Sequence, residues 1–100
     1  MIVYNVTINI LAEKEAEFVA WMKNTYIPEV MKTGFFFEYR FLRLLQNQED
    51  GINFAAQFHT EGMEKMLHFD KVHAKQIDDL LYDTFRDEYI SFRSLLETVE

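Results

Sequence analysis

The N-terminal stretch Ile2–Ile10, which reads Ile-Val-Tyr-Asn-Val-Thr-Ile-Asn-Ile, decides the fold. Its even positions are apolar or aromatic, whereas Asn5, Thr7 and Asn9 occupy odd positions. Successive side chains of a strand point to opposite faces of a sheet, so this alternation is typical of a strand with one buried face. We therefore expect the chain to begin with a half-buried strand.

Further along the chain, two segments read as strands of a hairpin and one reads as a closing strand. Phe35–Gln46 is rich in aromatic and branched side chains, and Ile52–His59 alternates in the same way as the first strand. Asp50 and Gly51 between them favour a turn. Tyr89–Leu96 alternates again and predicts a fourth strand.

Two segments carry apolar residues at helical spacing. The first, Glu13–Met31, contains Pro28, which lacks a backbone N–H, so we expect a kink or a restart at Ile27 and Pro28. The second is predicted to begin after Thr60 as its cap and to continue to about Tyr82.

The resulting order βαββαβ predicts an α+β, ferredoxin-like fold with a four-stranded antiparallel sheet. The first and third strands are expected in its centre, and both helices on one face. The chain of 100 residues fits a single domain over residues 1–100.

Composition excludes several classes of function. The net charge of −7 has the wrong sign for binding nucleic acid phosphates. The absence of Cys excludes disulfides, thiolate metal sites and a Cys nucleophile. The N-terminus shows no basic region followed by an apolar run, and no stretch is apolar enough to span a bilayer, so we expect a cytoplasmic protein that does not enter membranes.

The alternation assigns each strand residue to one of two faces. The face expected under the helices consists of Tyr4, Val6, Ile8, Phe37, Tyr39, Phe41, Phe54, Ala56, Phe58, Ile90 and Phe92. The opposite face is expected to carry Asn5, Thr7, Asn9, Phe36, Glu38, Arg40, Leu42, Gln57, His59, Tyr89, Ser91, Arg93 and Leu95.

The mixture of polar and apolar side chains on the opposite face suggests a function. A solvated face needs no such apolar content, and a dry core would leave Asn, Gln, His and Arg without partners. Two copies packed face to face would cover the apolar side chains and still leave a partly polar space for the Asn, Gln, His and Arg side chains. We therefore expect a homodimer that buries roughly 800 Å² per subunit and encloses a small, partly apolar organic molecule. The expected ligand-binding residues are Asn5, Thr7, Glu38, Arg40, Gln57, His59, Tyr89 and Arg93.

The alternative is a non-enzymatic interaction or assembly module whose acidic helices contact a partner.

Two histidines are candidates for acid–base chemistry. His59 would point into the cavity near Gln57 as a general base, or it is a solvated strand end. His73 has Asp70 one helical turn earlier, which suits an oriented imidazole. The alternative for His73 is a core histidine bonded to a backbone carbonyl.

Arginines and a possible metal site complete the candidates. Arg93 and Arg40 could clamp a carboxylate or an enolate, or they form ion pairs with Glu38 or across the dimer. Glu64 and His68 share a helix face, but it is the outer one, and we predict no metal.

The sequence also resembles a family of small bacterial proteins described as a domain of unknown function. The segments that carry the resemblance are Met1–Thr7, Phe18–Trp21, Ile27–Met31 followed by Thr33-Gly34-Phe35, and Phe92–Glu97. The resemblance implies a dimeric α/β-barrel architecture, as in antibiotic-biosynthesis monooxygenases, and brings no assigned chemistry. A monooxygenase- or isomerase-like activity without a cofactor is the enzymatic function that this likeness suggests.

A related resemblance concerns haem. Haem-degrading monooxygenases of the same superfamily use an Asn on the first strand and a His on the second helix, which Asn5 and His73 resemble in placement. They also use a Trp on a strand, whereas Trp21 falls in the first helix here. We therefore predict no cofactor.

Overall fold

The architecture is built on one antiparallel sheet, seen in a computed structural model that describes residues 1–46 and 50–99. Within those residues the strands are β1 (Ile2–Ile10), β2 (Glu38–Arg43), β3 (Ile52–Thr60) and β4 (Tyr89–Glu97). They lie in the order β2-β3-β1-β4, and every neighbouring pair is antiparallel. The ferredoxin-like topology and the central positions of the first and third strands are confirmed.

Helices cover one side of this sheet, and we call the other side the open face. The α-helices are α1 (Glu15–Trp21), α2 (Ile27–Met31), α3 (Met63–Val72) and α4 (Ala74–Phe85). Short 3₁₀ turns lie at Ala12–Lys14 and Arg86–Glu88, and a π-helical segment, Met22–Tyr26, joins α1 to α2.

The expected restart at Pro28 takes the form of this π-helical segment. The Ile27 N–H donates to the Met22 carbonyl, five residues back, and α2 then begins with Pro28 in its first turn. A proline is tolerated there because the first turn needs no internal N–H donor. The restart also turns Tyr26 into the core, where it is fully buried.

The second helical region differs from the prediction in two ways. It is divided at His73 into α3 and α4 rather than running as one helix. Thr60 does not cap it, because Thr60 still pairs with Ile2 in the sheet and is buried. Gly62, in extended backbone, precedes α3 instead.

The core lies between the sheet and the helices and is largely aromatic. Phe18 packs against Phe54 and Phe85 with ring centroids 5.2 and 5.5 Å apart, and Tyr4 packs 5.5 Å from Phe69. The core assignments for the central strands are confirmed: Tyr4, Val6, Ile8, Phe54, Ala56 and Phe58 are buried.

The predicted faces of β4 are wrong. Cross-strand partners share a face, and Val6 pairs with Arg93 whereas Thr7 pairs with Phe92. Ile90 and Phe92 therefore lie on the open face and are 73% and 61% exposed. By the same pairing, the residues that belong to the helix side are Tyr89, Ser91, Arg93 and Leu95. Both parities of this edge strand contain apolar residues, so alternation alone does not choose between them.

Phe36 and Phe37 are also exchanged relative to the prediction. β2 begins at Glu38, so the alternation does not extend back into the turn that follows Gly34. Phe36 is buried in the core, 4.8 Å from the Phe69 ring, and Phe37 is exposed. From Glu38 onward the predicted faces hold, because Tyr39 pairs with Phe58 and Arg40 with Gln57.

Replacing Gly51 by Ala is expected to destabilise the fold. Gly51 has a φ of +121°, and an added Cβ would lie 2.6 Å from the Ile10 carbonyl oxygen. Backbone strain and this clash together predict a loss of about 2 kcal/mol in the free energy of unfolding, measured by urea denaturation. Gly34→Ala is the control, because Gly34 also has a positive φ but open space around it. Equal losses for the two variants would contradict a tight approach at Gly51.

Replacing Tyr26 by Phe is expected to stabilise the protein. The Tyr26 hydroxyl is buried and has no hydrogen-bond partner among the described residues, so its removal should add about 1 kcal/mol. Burial raises the pKa of Tyr26 above its ordinary 10.0. The folded chain thus holds the Tyr26 proton more tightly than the unfolded chain does. The contribution of this proton to the free energy of unfolding is lost as the pH rises above about 10. Tyr26→Phe should retain more stability than the wild type in that alkaline range.

The control is Tyr4→Phe, since the Tyr4 hydroxyl accepts a hydrogen bond from Arg93 at 3.0 Å. Its loss should cost about 1 kcal/mol at neutral pH. Urea unfolding at pH 7 and pH 10.5 measures both variants. A Tyr26→Phe protein less stable than the wild type at pH 7 would refute the prediction.

Candidate functional site

The open face is organised in rows that run across the strands. The strand registers place side chains from all strands of the described sheet side by side, and this fixes which groups are neighbours. The rows of interest are Arg40–Gln57–Asn5–Ser94, Leu42–Ala55–Thr7–Phe92 and Glu38–His59–Val3–Leu96.

In the first of these, the polar row, hydrogen bonds join Gln57, Asn5 and Ser94. The Gln57 Nε2 donates to the Asn5 Oδ1 at 3.2 Å, and the Asn5 Nδ2 donates to the Ser94 Oγ at 3.3 Å. The same Nδ2 lies 3.0 Å from the Thr7 Oγ1. Asn5 is only 8% exposed although it lies in the middle of a face without helices. Its amide is therefore held in one orientation by its neighbours.

The second row, the apolar row, forms a groove. Leu42 and Phe92 are large and stand on the edge strands, while Ala55 and Thr7 between them are small. A cavity of about 510 Å³ lies over this row, with Leu44 and Asn53 also in its lining. The groove is thus lined mainly by apolar surface and runs beside the polar row.

The third row contains His59, whose predicted position on the open face is confirmed by its pairing with Val3 and Glu38. Its ring lies 6.3 Å from the exposed Phe37 ring. The His59 Nε2 is buried and has no hydrogen-bond partner in the described part of the chain. A general base needs access to the proton it removes, so this burial does not favour a catalytic role for that nitrogen.

Charged groups of the open face lie at the β2 edge. The Arg40 Nη2 and Glu38 Oε2 are 3.6 Å apart, and both side chains are about half exposed or more. The ion-pair alternative for Arg40 thus holds in this structure. The pair is loose and solvated, so Arg40 can turn toward a bound anion at little cost.

Two expected ligand-binding residues, Arg93 and Tyr89, are absent from the open face. The register of β4 turns both to the helix side, contrary to the prediction. There the Arg93 Nε donates to the Tyr4 hydroxyl at 3.0 Å, and its Nη2 forms an ion pair with Asp78. Burial raises the pKa of the Asp78 carboxyl, and the Arg93 charge opposes that shift. Neither alternative predicted for Arg93 named Asp78.

His73 lies in the helical layer, at the junction of α3 and α4. Its backbone N–H donates to the Phe69 carbonyl at 2.8 Å, and its ring lies 5.6 Å from that of Phe35. Within residues 1–46 and 50–99 its side chain makes no hydrogen bond to Asp70 or to a backbone carbonyl. His73 is therefore a partly buried packing residue. It lies in the helical layer, on the opposite side of the sheet from the polar row.

Chemically, the open face can enclose apolar groups and form hydrogen bonds. The expected residues that it brings together are Asn5, Thr7, Glu38, Arg40, Gln57 and His59. The sequence reasoning did not assign Ala55, Phe92 and Ser94 to the site. The cross-strand register identifies them, and no sequence motif does. The described residues contain no group of three potential metal ligands and no helix long and apolar enough to cross a membrane.

Sheet order, one-sided helices and the mixed open face define a ferredoxin-like α+β protein. The chain belongs to the family described as "Domain of unknown function (DUF4286)", whose model matches residues 1–99. The sequence resemblance to a family described as a domain of unknown function is thereby confirmed. Among curated proteins, no sequence matches the chain.

Solved structures share the fold at low identity. An ethyl tert-butyl ether d (ethd) family protein from Bacillus halodurans has a TM-score of 0.74 and 13% identity, covering 99% of this chain and 100% of that one. A mutant of MhuD with two manganese protoporphyrin IX molecules per active site has a TM-score of 0.71 and 14% identity, with 100% and 96% covered. A Deinococcus radiodurans protein named as a candidate antibiotic biosynthesis monooxygenase has a TM-score of 0.65 and 17% identity, with 100% and 94% covered.

Proposed function

We propose that this protein is a homodimer that packs the open faces of two copies together and binds a small, partly apolar organic molecule between them. The observation that carries the proposal is the combination of exposed apolar side chains with a polar row in which Asn5 is already hydrogen-bonded to Gln57 and Ser94. The exposed apolar residues of this face include Leu42, Leu44, Ile90, Phe92 and Leu96.

The apolar side chains favour burial of the face. Large contiguous apolar patches on a soluble protein usually mark an interaction site. The free-energy cost of burying polar groups is smallest when they are already hydrogen-bonded, and Asn5 and Gln57 are hydrogen-bonded to each other. A second copy related by a two-fold axis supplies a surface of the same composition, and every contact across the interface then occurs twice.

The groove over the apolar row is the proposed ligand site. Leu42 and Phe92 would contact the apolar part of the ligand over a floor of Ala55 and Thr7. The Thr7 Oγ1 accepts from Asn5, so its own hydrogen is free to be donated to a ligand oxygen. Arg40, at the end of the adjacent polar row, adds a positive charge for an anionic group.

An oxygenase- or isomerase-like reaction without a cofactor would use the same groups. Thr7 and Arg40 could stabilise negative charge on a substrate oxygen within an enclosed chamber. The named relatives in fold support this activity only by analogy. The groove and the polar row therefore support ligand binding as the function of this face.

The chain does not fit haem in the way that the sequence resemblance suggested. Asn5 belongs to the open face, whereas His73 lies in the helical layer on the other side of the sheet. The two side chains cannot approach one bound group from their positions. We assign no haem to this protein, although the MhuD mutant of similar fold holds a manganese porphyrin.

The first test is the mass in solution. We expect twice the chain mass of 12.0 kDa at micromolar concentration, measured by sedimentation equilibrium. A monomer at that concentration would overturn the proposed dimer.

The second test uses 8-anilinonaphthalene-1-sulfonate, which combines an apolar ring system with an anionic group. We expect saturable fluorescence enhancement that is weakened about tenfold by Arg40→Ala, because a charged hydrogen bond is lost. Lys23→Ala, on the exposed surface of the π-helical segment, is the control and should bind the probe as the wild type does. A dimer that binds no such probe, but recovers one other protein stoichiometrically from a lysate, would favour the interaction module instead.

A further inference from the structure

A second cavity lies on the helix side of the sheet, where α3 meets the edge strand β4. It has a volume of about 220 Å³, and we call it the edge pocket. Its apolar walls are Met66, Leu67 and Leu95, and its polar side chains include Tyr4, Asp70 and Arg93. Since Tyr4 and Arg93 point away from the open face, the edge pocket is separate from the groove over the apolar row.

We propose that the edge pocket binds a small organic cation, namely a primary amine carried on an apolar group. This inference is independent of the proposed dimer and of the ligand between the sheets. It rests on the walls of the pocket and on the balance of its charges.

The walls offer apolar contact that the folded chain does not use. Leu67 is 59% exposed on α3, and Leu95 is 48% exposed on β4. They flank the same cavity, so one apolar group placed there would cover both side chains.

The charges of the edge pocket favour a cation. Arg93 is already committed, because its Nη2 pairs with Asp78 and its Nε donates to the Tyr4 hydroxyl. Asp70 forms no ion pair with any residue that the structure describes. Asp78 lies outside the pocket lining but neutralises Arg93, so the Asp70 carboxylate remains as an uncompensated negative charge, and the chain as a whole carries −7. An anion would meet an unpaired carboxylate here, whereas an ammonium group would neutralise it.

Tyr4 lines the same pocket as Asp70 and offers a second polar group there. Burial raises the pKa of Tyr4, the Arg93 charge opposes that rise, and the negative charges of Asp78 and Asp70 add to it. The Tyr4 oxygen accepts from Arg93 and retains its own hydrogen for a further bond. An amine bound to Asp70 would thus be held between a carboxylate and a hydroxyl at one end and leucine side chains at the other.

The test compares three probes with the same ring: 2-phenylethylamine, 2-phenylethanol and 3-phenylpropionate. Each is titrated into the intact protein while the NMR shifts of the Leu67 and Leu95 methyl groups are followed. We expect saturable binding of the amine with a dissociation constant on the order of 1 mM, and binding at least about tenfold weaker for the alcohol and the carboxylate.

Variants locate the charge that is responsible. Asp70→Asn should weaken binding of the amine about tenfold while the rest of the spectrum is preserved, because Asp70 is exposed. Asp79→Asn is the matched control, since Asp79 is outside the pocket lining, follows Asp78 in α4 and is paired with Lys75 at 3.0 Å. The proposal is overturned if the carboxylate binds as well as the amine, if Asp70→Asn has no effect, or if the shifts occur on the open face.

Discussion

Truncation of Phe58 to Ala should lower the free energy of unfolding by about 3 to 5 kcal/mol. Phe58 lies in the centre of β3, is 0% exposed and has ring neighbours at 5.7 Å in Phe36 and 6.4 Å in Tyr4. The expected loss combines the transfer of a large apolar group with a cavity that rigid neighbours cannot fill. Urea denaturation followed by far-UV circular dichroism gives the value.

The matched control for Phe58 is Tyr82→Ala. Tyr82 is an aromatic residue on the outer side of α4, half exposed, and its ring contacts the Arg86 guanidinium. Its loss should cost about 1 kcal/mol or less. If Phe58→Ala costs less than about 1 kcal/mol, the assignment of faces along β3 is inverted, and the open face described above does not exist in the protein.

Replacement of Phe92 by Asp should dissociate the proposed dimer. Phe92 stands at the end of the apolar row and is 61% exposed in the single chain, so the substitution should leave the fold intact. In the dimer the new carboxylate would be buried without a partner, at a cost of about 3 to 5 kcal/mol. This weakens the dimer by at least about a hundredfold, and sedimentation equilibrium should then find the chain mass of 12.0 kDa at micromolar concentration.

Leu67→Asp provides the control for this experiment. Leu67 is 59% exposed, almost as much as Phe92, but it lies on α3 on the opposite side of the sheet. This variant should keep the mass of the wild type. If Phe92→Asp also keeps it, the subunits associate through another surface and the groove is not enclosed by a second copy.

The sequence alone predicted the topology and placed six of the eight expected ligand-binding residues on the open face. Alternation in β1 and β3 identified both central strands and their faces, because each has apolar residues in one parity and mainly polar or small ones in the other. The positions of Asn5, Thr7, Gln57 and His59 on one face follow directly from that alternation. Pro28 likewise indicated the restart at α2, since a missing N–H acts locally.

Edge elements and packing partners were decided by the tertiary structure. In β4 both parities contain large apolar residues, so only the pairing of Thr7 with Phe92 shows which side each residue takes. Because of this pairing, Arg93 contacts Tyr4 and Asp78 on the helix side instead of lying in the predicted ligand site. There it lines the edge pocket. The local sequence determines which face each residue takes when one side of a strand is buried and the other is exposed. An edge strand such as β4 is largely exposed on both sides, so the assignment of its faces depends on its pairing with the neighbouring strand.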